Sequence, residues 1–560
     1  MKRKNIDTDI DNRNVKKPYI RASSVGNYLM NDGLVDYLTR DNQKPISLAT
    51  LYIMEQGNIF EEELIKLVKK NHKVYEPVFN SYDNETKHNV TIKALEQGHD
   101  IIYQGYIYDK SNNIGGSPDL IVKSTYLNRL MNSNIIKNVN IVSTINNKRN
   151  KYYYVIVDIK HSTIHLNGIH IKNVSRIPAY KAQLYIYTKI LNNLQSIVIN
   201  KAYIWGKDYS DNSNFLNTLG VIDYDTVDKE FVTKTNNAIK WITTVHNDVM
   251  TIVPPSHDEL YPNMKSASCI DTKKQLNKDV NDITTLWNCS VNHRKLAKEH
   301  NILSWKDDNL SSGKLGFSND RGTVIDNIIS INKQTSDIIR ITKPITLNKQ
   351  EDTINIFIDF EGFSDKMKCK IKNGVILDNN NYYIYMIGIG YIMDNVWTYK
   401  SFIMKDTNSQ THLVSSLFYY LRTLLRKMKK TKIAFYHWSH YERTHFNRIK
   451  QDIKLCLEDT TYSFIDLCSI FQKHVVIKDC FNFKLKSITT ALYCNKMIET
   501  CYYKDSDCVD GLDACINALK LYDANEIVVN NPIMKSIEQY NSIDCKMLYE
   551  LYNLLEKLQM

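Results

Sequence analysis

An apolar strand with charged side chains inside it constrains this chain more tightly than any other feature. YYYVIVDIKHS (152–162) is such a strand. Val155, Val157 and Ile159 point to one face, and Ile156, Asp158 and Lys160 to the other. A carboxylate and an ammonium in that setting are costly to bury unless something compensates them. GGSPDLIV (115–122) supplies a second carboxylate, Asp119, at the start of a neighbouring strand. Two carboxylates with a lysine beside them make a divalent-metal site suited to phosphodiester hydrolysis. For D-x-K taken alone, a buried Asp–Lys ion pair is the alternative reading.

Two helices flank these strands. GNIFEEEL (57–64) starts a helix whose apolar face includes Gly57, Leu64 and Val68 and also carries Glu61. PAYKAQLYIYTKIL (178–191) places Gln183 and Tyr187 four apart, on a face shared with Ala179, Ile186 and Ile190. The ordered series G-x3-E, GxxD, DxK, QxxxY resembles the RecB-type branch of the PD-(D/E)XK nucleases. That resemblance implies an α/β restriction-endonuclease-like domain in which Asp119 and Asp158 are metal ligands. Glu61 becomes a nearer or water-mediated ligand, and Lys160 orients water. Gln183 and Tyr187 contact substrate or support the site.

A second constellation lies far downstream. NIFIDFEGF (355–363) alternates strictly, with Ile356, Ile358 and Phe360 on one face and Phe357, Asp359 and Glu361 on the other. Two carboxylates on one apolar face repel each other and need a cation. Further strands are expected at 381–393, 396–404 and 432–438, and SFIDLCSIF (463–471) sets Asp466 among apolar residues. The helix IEQYNSIDCKMLYELYNLLEKL (537–558) has a buried stripe of Ile537, Tyr540, Asp544, Met547, Leu548, Leu551 and Leu555. Asp544 thus occupies an apolar position. D-x-E on the first strand and Y-x3-D on the last helix resemble the DEDDy branch of the DnaQ-like 3′–5′ exonucleases, which have an RNase H-like fold. The resemblance implies four carboxylates holding two divalent ions, Mg²⁺ or Mn²⁺, with Tyr540 positioning the attacking water. The family's N-x3-F-D motif aligns with HWSHYE (437–442), so Glu442 stands for the Asp and His437 for the Asn. In FKLKSI (483–488), Lys486 would meet substrate phosphate, and His437 would lie against the nucleic acid.

At 560 residues the chain is long enough for about three domains. The expected division is a disordered basic arm at 1–20, the RecB-like domain at 21–253, a helical connector with a flexible linker at 254–345, and an RNase H-like mixed-sheet domain at 346–560. VPPSHDELYP (253–262) holds three of the ten prolines and marks the first boundary. SSGKLGFSND (311–320) is polar and reads as the linker. In the connector, His293, Arg294, Lys295 and Lys298 form either a backbone-gripping patch or a solvated face. The Asn- and Lys-rich stretch 132–150 reads as a surface hairpin insertion.

The formal charge of +11 favours an anionic partner. Eleven cysteines lack any CxxC pair, and Cys494, Cys501, Cys508 and Cys515, spaced by sevens, read as reduced thiols. The charged start has no apolar core of a signal peptide, and no run spans a bilayer. An intracellular, soluble, cytoplasmic protein is expected, or a nuclear one if Lys2–Lys4 and Lys16–Lys17 serve import. A RecB-like domain, a helical connector and an RNase H-like domain, in that order, resemble a two-nuclease family of bacteria and large DNA viruses. ELYPNM (259–264), DITTLW (282–287) and YNSIDC (540–545) belong to that likeness, which covers nearly all of 21–560. It implies a divalent-metal-dependent nuclease with two active sites, acting on nucleic acid, DNA ahead of RNA. The alternative is a nucleic-acid-binding protein in which one nuclease site, the C-terminal one ahead of the other, is degenerate.

Overall fold

A computed structural model describes residues 17–41, 47–211, 213–334, 336–347, 351–369, 371–372, 375–376, 381–452, 461–501, 511–524 and 528–559. Lys2–Lys4, Lys16 and Cys508 lie outside the described residues. Two compact units emerge. One comprises Met1–Pro45, Met54–Val280 and Cys369–Leu377; the other comprises Ile46–Ile53, Asn281–Lys368 and Asp378–Met560.

The first unit is built on strands β1 (Ile101–Tyr103), β2 (Leu120–Lys123), β3 (Tyr154–Ile164), β4 (Lys201–Tyr209) and β5 (Gly220–Asp223), hydrogen-bonded in that order. Two-residue strands at His170–Ile171 and Leu166–Asn167 extend the β5 edge. β3 pairs antiparallel with β2 and parallel with β4. A parallel pair needs a crossover, and helix α2 (Ile177–Leu194) provides it, with Pro178 in its first turn. The expected alternation holds. Val155, Val157 and Ile159 enter one core with Leu120 and Val122, while Tyr154 and Ile156 enter another with Ile121 and Ile186. Each such aliphatic side chain contributes about 1.5–3 kcal/mol on full burial. Gln195, fully buried just beyond α2, clamps the start of β3, accepting from Tyr154 N at 2.8 Å and donating to Tyr154 O at 3.0 Å.

Helix α1 spans Leu48–Asn71, so it begins well before the expected GNIFEEEL start. Nothing in LATLYIMEQ breaks a helix, and Gly57 is simply carried inside it. The apolar face is as expected, with Phe60, Leu64 and Val68 buried beside β3. The expected disordered arm also needs correction at its end. Lys17 Nζ donates to Ser111 O at 2.8 Å, Asn113 donates to Lys17 O at 2.8 Å, and Ile20–Arg21 pair with Ile114–Gly115. Within 132–150, Ser143–Ile145 and Lys148–Asn150 form a hairpin.

In the second unit, Ile283, Leu286, Ile302, Trp305, Leu315, Ile325 and Ile328 make a small core. Two members of the expected basic patch serve this core. His293 accepts from Ser290 N at 2.9 Å and stacks on Phe317, and Arg294 pairs with buried Asp282 at 2.9 Å. The stretch 311–320 is a folded turn and not a free linker. Ser312 N and Oγ each donate to Asp326 at 2.7 Å, and Leu315 is buried.

The sheet that follows contains β6 (Thr353–Ser364), β7 (Tyr382–Met393), β8 (Val396–Ile403), β9 (Lys432–His437) and β10 (Thr461–Asp466). Their order is β8-β7-β6-β9-β10, antiparallel on the β7 side of β6 and parallel on the β9 side. Asp394 and Asn395, both left-handed, make the two-residue β7–β8 turn. Helix α3 (Gln410–Met428) covers one face, setting Leu413, Leu417 and Leu421 against Ile356, Ile358 and Phe360. Helices α4 (Tyr441–Asp452), α5 (Leu467–His474) and α6 (Leu485–Cys494) follow in order, and α7 (Pro532–Leu558) brings Leu548, Leu551 and Leu555 to the face that holds Phe357. Strict alternation along β6 ends at Glu361. The register shifts between Glu361 and Gly362, and Phe363 joins the same core as Phe360.

One buried ion pair tests this account of the first unit. Lys181 Nζ lies 2.5 Å from Asp228, both being almost wholly buried, and Asp228 also accepts from Asp223 N at 3.0 Å. Asp228→Ala strands the ammonium and is expected to cost about 3–5 kcal/mol, read from the urea midpoint. Adding Lys181→Met should recover part of that loss; a double variant less stable than Asp228→Ala contradicts the account.

Candidate functional sites

The β2–β3 ladder sets Leu120 opposite Val157, which brings Asp119, one residue before β2, beside the charged face of β3. Asp119 Oδ2 accepts from Ile159 N at 2.6 Å and lies 3.9 Å from Lys160 Nζ. Lys160 Nζ contacts Asp158 Oδ2 at 2.5 Å and sits 5.1 Å from the centre of the Tyr180 ring. Burial raises the Asp119 pKa well above the usual carboxylate value; Asp158 pushes the same way and Lys160 opposes. Burial works against the Lys160 charge, but Asp158 and Asp119 outweigh it and hold the lysine protonated.

Glu61, half-buried on α1, accepts from Gln104 Nε2 at 2.8 Å. Gln104 is left-handed, with φ 50°, and its N–H donates to Asp119 O at 2.9 Å. It thereby links Glu61 to the loop that carries Asp119. A non-glycine residue in this conformation is uncommon and needs local support. No motif marked Gln104, because its role follows from backbone geometry. Tyr187 is buried on α2, with its hydroxyl 3.5 Å from Ser117 O and 3.4 Å from Gln183 Nε2. A Cβ at Gly116 would stand 2.7 Å from the Tyr187 hydroxyl, which explains the glycine of GxxD. Gln183 and Tyr187 thus pack behind the Asp119 loop.

In the second unit, oxygens of Asp359, Glu361 and Asp544 all lie within 4.8 Å of one another, uniting β6 with α7. Among the described residues this is the one grouping of three such side chains at that spacing; Glu61, Asp119 and Asp158 do not close to it. Burial, then Asp544, then Glu361 raise the Asp359 pKa well above the usual range. Burial and Asp544 push Glu361 up to about 8, against a hydrogen bond from Asn541. Three converging, mutually repelling carboxylates form an all-oxygen set that fits a hard divalent ion.

Glu442 is buried at the start of α4 and stands outside that triad. Its Oε2 is 3.6 Å from His437 Nδ1. Its charge nonetheless contributes to the raised pKa of Asp359 and of Glu361. Asp466 is already engaged, capping α5 through Ser469 N at 3.3 Å and accepting from Ser439 N at 2.9 Å. Tyr540 is half-buried, one helical turn before Asp544, and Lys486 is exposed in the first turn of α6. Asn541, not singled out in the sequence, is fully buried and donates to Asp359 Oδ2 at 2.6 Å. Its spacing of three from Asp544 on the same helix was the available signal.

Without metal, the raised carboxyls keep protons that the unfolded chain releases above about 4.5, the ordinary glutamate value. The folded state therefore binds more protons between that value and about 8, and stability falls as pH rises through the window. Melting temperatures in chelator should decline across it, and Glu361→Gln should flatten the decline. Mn²⁺ should raise the melting temperature more at the alkaline end, because binding displaces those protons. An identical pH profile for Glu361→Gln would contradict the buried triad.

A family model described as the RNase_H superfamily matches residues 374–556. The matched stretch takes in Glu442, Tyr540 and Asp544 and begins after Asp359 and Glu361. No curated protein matches the chain. Among the described residues, no helix is long and apolar enough to cross a membrane. The protein is thus a mixed α/β chain with an RNase H-like C-terminal domain, whose sheet and last helix gather three carboxylates able to bind metal.

Proposed function

We propose that the chain is a divalent-metal-dependent nuclease with two active sites, acting on DNA. The observation that carries this reading is the convergence of Asp359, Glu361 and Asp544 in an RNase H-like setting. A bound Mg²⁺ or Mn²⁺ supplies charge neutralisation at the scissile phosphate and an acidified water. Asp359, Glu361 and Asp544 would hold it, with Glu442 as the fourth carboxylate of a DEDDy-type 3′–5′ exonuclease site. Tyr540 would orient the attacking water, while Lys486 and His437 would face the nucleic acid.

In the first unit, Asp119 and Asp158 would be ligands of a RecB-like site, with Glu61 held in reach by Gln104. Lys160, kept protonated between two carboxylates, would orient water and meet negative charge at the phosphate. Gln183 and Tyr187 would hold the Asp119 loop. A second reading has one specific support: Glu442 lies beside His437 and outside the triad. On that reading the C-terminal site is degenerate and the unit binds nucleic acid without cutting it.

End-labelled single- and double-stranded DNA and RNA, incubated with Mg²⁺ or Mn²⁺, separate these readings. Lys160→Ala should reduce one cleavage activity by more than about a hundredfold, and Asp359→Ala the other, each sparing its counterpart. Metal-independent cleavage, or loss of all cleavage in each folded single variant, contradicts two separate sites. Cleavage untouched by Asp359→Ala, with binding retained, favours the degenerate C-terminal reading.

A further inference from the structure

Helix α7 crosses β7 at a point where the sheet has no side chain. Gly388 pairs with Asp359 on one side and with Ser401 on the other. A Cβ at Gly388 would stand 1.6 Å from Asn541 Oδ1, so the amide occupies the space that any other residue would fill. Asn541 uses both ends of that amide. Its Nδ2 donates to Asp359 Oδ2 at 2.6 Å and to Asp359 O at 3.3 Å, and its Oδ1 accepts from Tyr399 OH at 2.9 Å. The Tyr399 hydroxyl also reaches Glu538 O at 3.4 Å, and Ser401 Oγ donates to the Glu538 carboxylate. β8 thus holds the α7 turn that precedes Asp544.

We propose that Asn541 is a positioning residue that fixes the Asp359 carboxylate for metal binding, with Tyr399 as its anchor and Gly388 as its slot. The inference rests on the reading of Asp359, Glu361 and Asp544 as a metal site. The chemistry is specific. Once ionised to hold an ion, the carboxylate only accepts hydrogen bonds, so the NH₂ end of the amide then faces Asp359 and the oxygen faces Tyr399. With Oδ2 engaged by the amide, Oδ1 is the oxygen that would meet an ion. A neutral donor orients the ligand without setting a fixed positive charge against the incoming cation. A lysine in this place would set a fixed positive charge against the ion. Contacts of this kind, behind a metal ligand, are worth about 10- to 100-fold in metal affinity or activity.

The test uses the full chain in an Asp119→Asn background, so that the first unit's carboxylates contribute less to binding. Mn²⁺ affinity is read by calorimetry, and half-saturating Mn²⁺ by single-turnover cleavage of a 5′-labelled strand. Asn541→Ala should raise the Mn²⁺ dissociation constant and the half-saturating concentration by about tenfold or more, with cleavage recovering at saturating Mn²⁺. Tyr399→Phe, which removes one hydroxyl and keeps the amide, should shift both in the same direction by about threefold. A purely structural role would lower the folded fraction and leave half-saturation in place. If Asn541→Ala does not fold, Tyr399→Phe decides. Parental Mn²⁺ affinity in the folded variants, while Asp359→Asn has lost it, overturns the positioning role alone. A background chain that holds no Mn²⁺, or an Asp359→Asn variant that holds it equally, overturns the metal-site reading and this inference with it.

Discussion

Carboxylates buried next to one another are the constraint on which both units are organised. Burial alone pushes such groups toward the neutral form, and each neighbouring carboxylate pushes further. The two units meet that cost differently. In the first, Lys160 supplies positive charge from the same strand, and a backbone N–H adds a hydrogen bond to Asp119. In the second, three carboxylates are drawn together, and Glu361 is driven to about 8. The first arrangement is nearer to neutral by itself; the second leaves mutually repelling carboxylates that a cation could neutralise.

The scaffold follows from that difference. β3 is buried on both faces, and α2 with its Gln195 clamp secures the strand that presents Asp158 and Lys160. β6 is likewise central in its sheet, but its far half departs from regular pleating just where Glu361 ends the charged face. The irregularity lets Phe363 return to the apolar core while Asp359 and Glu361 stay together on the other side. Regular alternation could not have given both.

What was legible in the sequence was local and periodic. The faces of β3 and β6, the apolar stripe of α7 and the misplaced Asp544 all follow from side-chain spacing, since a charge at a core position stands out against its neighbours. What was hidden depends on partners far away in the chain. Ser312 belongs to a polar stretch, yet Asp326 orders it; Arg294 reads as a surface cation, yet Asp282 buries it. Gln104 is set by a left-handed backbone that no spacing announces, and Asn541 by a glycine on another strand. The early start of α1 carries no local mark, because the glycine inside it reads as a boundary although the helix runs through it.

The Asp359–Glu361–Asp544 triad is assembled from a strand and a helix separated by most of the second unit. Two of the three carboxylates precede most of the second unit, and the third follows only with α7. A nascent chain therefore carries an incomplete ligand set until that helix emerges and docks, after the loop-closure cost of the long intervening segment is met. The ligand set is complete only once α7 has folded, and any chain clipped before α7 lacks one of the three carboxylates of this centre.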